Sequence, residues 1–287
     1  MRLILYLLFI LTPMQIMAKS TLATTDIVDE QHLLKLLDEY IDRRELYTEQ
    51  KEEKIKQLKI KLRIAHNNDK RLSILDAIYR EYYTYNYDSA MVYVNRGLSL
   101  ALSYNNTYYA TLNRINRAAV LSTGGFYSQA ETLLNEIGEN NVPHQLKQYY
   151  YYTTTWLYNY WESFCDKSEF KNYYRQKKLQ FLRLTVNTTH SNYVGLYAYL
   201  SGELAYLENP LGKNVLRHYT IAINNSLVNS RVHASAAYCI ARYYREIGNM
   251  QLYEKYIVEA AISDMVCPFK ENLALQELST YLYKKDP

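Results

Sequence analysis

Acids beside aromatic rings are what a glycoside hydrolase needs, and Glu162, Asp166 and Glu169 closely follow Trp156 and Trp161. One carboxylic acid would protonate the leaving oxygen while the other served as base or nucleophile, with a ring stacked against the sugar. The same acids also read as helix-start residues. Asp166 precedes Glu169 by three, the spacing of a capping box that satisfies backbone N–H groups of a first turn. That reading already uses two of the three acids, so catalysis gains little support. The six histidines (His32, His66, His144, His190, His218, His233) form no metal-binding helix face. No nucleophile elbow, phosphate loop or dinucleotide fingerprint is present. The sequence therefore predicts no catalytic residue, no metal ligand and no cofactor.

Binding residues are easier to find. Arg242 and Arg245, three apart on one helix face, suit a carboxylate or phosphate. The alternative is a solvated face paired with Glu246 or Glu254. Tyrosine is the compositional outlier, with 33 residues that often come in pairs such as Tyr82-Tyr83 and Tyr243-Tyr244. Adjacent tyrosines on a helix point about 100° apart, so one ring packs between helices while its neighbour keeps its hydroxyl in water. Some of these rings would instead line a groove, where they stack on sugars or grip peptide side chains. Placing the helix-crossing positions at Ile78, Ala118, Trp161 and Ala241 turns Tyr79, Tyr82, Asn116, Tyr158, Glu162, Arg242 and Arg245 towards a common concave side. Cys165, Cys239 and Cys267 are widely spaced and odd in number, which reads as buried thiols rather than a disulfide framework. A Cys239–Cys267 bond stays open.

The elements that would position these residues come from a repeated pattern. Ala118 and Leu121 lead into Gly124-Gly125-Phe126-Tyr127, then Ala130, Leu134 and Ile137; Ala241 and Tyr244 lead into Gly248-Asn249-Met250, then Tyr253, Ile257 and Ala260. A small residue lets two helices cross closely, a glycine turn reverses the chain, and an apolar stripe buries the second helix. This is a tetratricopeptide-type signature. Ala90 and Ala130 lie 40 positions apart, longer than the usual period of about 34. Second helices are expected near Phe170 and Asn214. Ser128–Glu131 and Asp166–Glu169 read as capping boxes, and Asp88 as a helix cap. Pro143, Pro210 and Pro268 fall between helices.

Residues 1–18 read as a cleavable signal peptide: Arg2, an apolar run from Leu3 to Leu11, and a small residue at Ala18. Residues 19–66 read as a helical leader, one long helix or two with a polar bend, capping the first repeat. Residues 67–287 read as about five helix pairs, truncated at the C-terminal end. The formal charge of +4 is near balance and shows no basic stripe, which argues against nucleic acid as partner. No later segment is apolar for long enough to span a bilayer.

Two stretches carry a family resemblance. Leu33-Leu34-Lys35-Leu36-Leu37-Asp38-Glu39-Tyr40-Ile41 with Lys51 to Lys59, and Ala260 to Asp264 with Ala274-Leu275-Gln276-Glu277-Leu278, resemble a Bacteroidetes family of periplasmic tetratricopeptide-like sensors. The resemblance implies an exported helical array, usually followed by a transmembrane helix and a cytoplasmic DNA-binding domain, in an envelope regulator tuned to glycan uptake. The sequence thus predicts an all-α, right-handed superhelical solenoid in the periplasm, without enzymatic activity. It would capture a peptide, a protein or a saccharide on its concave face. An envelope protein–protein scaffold docking through the leader, and a glycan-degrading enzyme, are the rival readings.

Overall fold

The computed structural model describes residues 30–267 and 273–285. The signal segment, the leader up to residue 29, Pro268 and the last two residues lie outside the described residues. Helices α1 (Glu30–Asp42) and α2 (Arg44–Ile64) come first. Five pairs follow: α3 (Asn68–Tyr83) with α4 (Tyr87–Ser103), α5 (Thr107–Thr123) with α6 (Tyr127–Ile137), α7 (Lys147–Ser163) with α8 (Ser168–Thr188), α9 (Val194–Glu208) with α10 (Lys213–Asn224), and α11 (Arg231–Glu246) with α12 (Met250–Val266). Helix α13 (Leu273–Lys285) ends the described chain, which contains no strand. Each helix packs on its sequence neighbour, and first helices of successive pairs also touch, α3 on α5, α5 on α7 and α9 on α11. This is a tetratricopeptide-like solenoid with first helices inside and second helices outside.

Small residues make the close packing possible. Ala90, Ala118, Ala130 and Ala241 are wholly buried, as is Ile78. A side chain at Gly202 would stand 2.6 Å from the ring of Tyr219, so only hydrogen fits where α9 crosses α10. Gly125 and Gly248 turn the chain at φ +82° and +80°, a region that costs other residues strain. In α7 the buried crossing residue is Leu157, one turn before the expected Trp161. Two short 3-10 turns, Glu139–Asn141 and His144–Leu146, lengthen the link ahead of α7 and shift its register.

The caps differ from the expected ones. Asn67, Asn86, Asn106 and Asn249 cap α3, α4, α5 and α12 through side-chain oxygens that accept backbone N–H groups at 2.9–3.2 Å. Asp88 lies inside the first turn of α4, two residues past the Asn86 cap. Helices α6 and α8 begin after Phe126 and Lys167 with no side-chain cap, so Ser128 and Asp166 form no capping box.

The leader is two helices bent at Arg43, with Tyr40 and Tyr47 stacked 6.2 Å apart across the bend. Helix α2 lies on the first repeat, its Ile55 buried with Ile74, Ile78 and Tyr82. Helix α1 packs on α12 instead, burying Leu33 and Leu37 in one core with Ile257 and Ala261. Both described helices of the leader are thus docked on the array, α2 through Ile55 and α1 through Leu33 and Leu37. The two halves of the leader bridge the first and last pairs, and Lys51 and Lys54, both paired with Glu81, come within electrostatic reach of Cys267.

Candidate functional site

That bridge brings inner faces from both halves of the array around one cation. Arg231 opens α11 and sets its guanidinium 5.8 Å from the ring centroid of Tyr83 on α3. Desolvation alone would lower its pKa; Tyr152, Tyr160, Tyr83 and Tyr199 around it raise it overall, so the charge is held firmly. Asp264, near the end of α12, is pushed up to about 7 by burial, with Arg231 pulling it back. Burial likewise pushes up the hydroxyls of Tyr83 and Tyr152. Tyr83, Tyr152, Tyr160, Arg231 and Asp264 are all half-buried rather than fully enclosed. The rings and the guanidinium are thus largely, though not wholly, shielded from water.

A polar belt forms one wall. Arg80 donates through Nε and Nη2 to Asp76 Oδ2, at 2.8 and 2.7 Å. Asp76 Oδ1 accepts from Asn116 Nδ2 at 3.1 Å, and Asn116 Oδ1 accepts from the Tyr149 hydroxyl at 2.9 Å. Tyr149 has thereby used its proton, so in the 3.4 Å contact between the two hydroxyls Tyr79 is the donor. The belt ties α3, α5 and α7 into one inner face. Burial raises Tyr149 to about 12.

The residues expected to share a groove take up different partners. Tyr79 and Asn116 belong to the belt. Tyr82 points the other way, stacked on Tyr93 and accepting from Lys59 Nζ at 2.8 Å. Tyr158 donates to Glu131 at 2.7 Å and Glu162 pairs with Lys178, so both meet second helices. Arg242 lies 3.9 Å from the Tyr206 ring centroid, with Nε and Nη2 buried and without a hydrogen-bond partner. Arg245 pairs with Glu277 of α13, not with Glu246 or Glu254. Sequence reading missed Arg231, Tyr83, Asp264 and the α7 stripe Tyr149, Tyr152, Trp156 and Tyr160. The i, i+3, i+7, i+11 spacing of that stripe was visible in the sequence.

The thiols are free and apart. Cys239 donates to Glu203 Oε1 at 3.3 Å, Cys267 to the Asn229 carbonyl at 2.8 Å, and Cys165 sits half-exposed in the turn before α8 rather than in a helix core. Among the described residues no three His, Cys, Asp or Glu side chains gather as a metal site, and no helix is long and apolar enough to cross a membrane. Phenols gathered around a fixed cation can stack rings and hold a negative or hydroxyl-rich group.

Residues 41–287 match the family model described as SusR N-terminal TPR domain. No curated protein matches the chain.

Proposed function

We propose, from the premise that this chain belongs to the SusR N-terminal TPR domain family, that it is the non-enzymatic sensor portion of an envelope regulator. Its ligand, a saccharide or a peptide segment, enters the cleft between Tyr83, Tyr152, Tyr160 and Arg231. The observation that carries this reading is the convergence of half-buried phenols from α3 and α7 on the guanidinium of α11. Rings supply stacking surfaces at low entropy cost, and a charge that cannot be lost orients a polar group. The periplasm is the proposed location, reached through the signal segment at residues 1–18. Binding would change the spacing between the first and last pairs, and the array would pass that change along as altered curvature.

The test is a thermal-shift screen of residues 19–287 against oligosaccharides and peptides. A ligand at about 100 times its dissociation constant adds roughly 2.7 kcal/mol of stability. The expected result is a shift that Tyr160→Ala abolishes while Tyr173→Ala, on the outer surface, leaves it intact. A shift unchanged in Tyr160→Ala would place the ligand elsewhere. The scaffold reading has less to stand on, because the apolar stripe of α1 is already covered by α12.

A further inference from the structure

A hollow of about 460 Å³ lies where α2, α3 and α4 meet, and it shares no residue with the cleft around Arg231. Leu62, Leu75 and Leu100, one from each helix, give it an apolar part; Leu75 is buried and the other two are half-buried. Arg71 stands one turn before Leu75 on α3, and Arg96 one turn before Leu100 on α4. Each arginine therefore shares a helix face with one of the leucines. Asn95, Ser99 and Ser103 complete the lining at four-residue steps along α4. Ser103 donates its proton to the Leu100 carbonyl at 2.9 Å. That leaves two guanidinia, one amide and one hydroxyl as donors for a ligand.

No carboxylate lines the hollow. Elsewhere, cations that face a neighbouring helix meet an acid: Lys54 on Glu81, Lys178 on Glu162, Arg245 on Glu277. Arg71 and Arg96 enter no ion pair among the described residues. Arg96 lies 5.1 Å from the ring centroid of Tyr93, a contact that orients the guanidinium without neutralising it. The acid closest to Arg71 in sequence is Asp69. Residues two apart on a helix do not face each other, and Asp69 Oδ1 accepts from Asn106 Nδ2 at 3.1 Å. Two positive charges thus look onto one hollow without a carboxylate to balance them.

We propose that this hollow binds a small phosphate monoester. The phosphoryl oxygens accept from Arg71, Arg96, Asn95 and Ser99, and the body of the molecule rests on the three leucines. A phosphate monoester carries about −1.5 to −2 charges at pH 7 and three acceptor oxygens, which suits two guanidinia reaching in from different helices. A carboxylate brings a single charge and would leave one guanidinium unbalanced. The planar fork of arginine also matches phosphate oxygens in paired hydrogen bonds. The volume lies in the range of small-molecule sites. This site does not depend on what the inner cleft binds.

The test is isothermal titration of the purified chain with phenyl phosphate, benzoate and phenol, which share one ring and differ in charge. Phenyl phosphate should bind about tenfold or more tightly than benzoate, with phenol weakest. Arg71→Gln and Arg96→Gln should each weaken phenyl phosphate by about tenfold or more, the scale of a hydrogen bond to a charged group. Lys171→Gln removes an equal charge from α8, outside the hollow, and should change affinity by less than about twofold, because salt screens distant exposed charges. Thermal melting checks that the variants stay folded, and Arg96, an exposed residue, decides the matter if Arg71→Gln melts early. Equal affinity for benzoate, binding that survives Arg96→Gln, or an equal loss in Lys171→Gln overturns the proposal. So does the absence of binding at millimolar phenyl phosphate.

Discussion

The tyrosines do more than fill space. Tyr151, Tyr158, Tyr206, Tyr219, Tyr238 and Tyr281 donate to Glu139, Glu131, Glu246, Glu203, Glu277 and Glu254, at 2.6–3.2 Å. Hydroxyls expected in water are instead pins between elements, each with its ring in the packing and its proton on a carboxylate. Partner separations of 12 to 40 residues give these bonds no local signature. In the cleft, Asp264 makes the sharpest prediction. Its pKa of about 7 lies above the unfolded value, so between about pH 4 and pH 7 the folded chain binds a proton that the unfolded chain has released. This group therefore costs stability as pH rises through that window, and nothing further above it. Asp264→Asn removes the cost: its stability relative to the native chain should climb from pH 4 to pH 7, by on the order of 1–3 kcal/mol given the partial solvation, then level off. Urea unfolding at a series of pH values measures it. A flat difference would mean that Asp264 titrates normally.

At the scale of elements, the bent leader decides the architecture. Leu33 and Leu37, one turn apart on α1, are 2% and 5% exposed because α12 covers them. Leu37→Ala should lower unfolding free energy by about 2–4 kcal/mol, as for other buried leucines. It should also expose the segment 30–43 to protease before the rest of the chain, which limited digestion would reveal. A loss under about 0.5 kcal/mol, the surface range, would show α1 to be undocked. Much of this level was legible in the sequence. The repeated Ala–Gly–apolar frame located α5/α6 and α11/α12, since both close crossings and tight turns leave local residue signatures. The caps were read less well, because Ser and Asp drew attention where Asn does the work at four helices. The register of α7 was off by a turn because its preceding link is irregular, and that turn separates Tyr158 and Glu162 from the inner stripe that carries Tyr160.

The whole molecule explains what local pattern could not. Arg231 is an ordinary helix-start residue in sequence; it becomes the centre of a cleft only because the array curves until α3 and α11 face each other across it. Contacts between residues some 150 positions apart have no periodicity to betray them. Amide hydrogen exchange of the chain, with and without the oligosaccharide or peptide that gives a thermal shift, tests the inner-cleft claim most directly. The account predicts slowed exchange concentrated in residues 76–83, 149–160 and 231–238, with the first half of α8 unchanged. Protection confined to α8 or to the other outer helices, with those three segments unaffected, would contradict it.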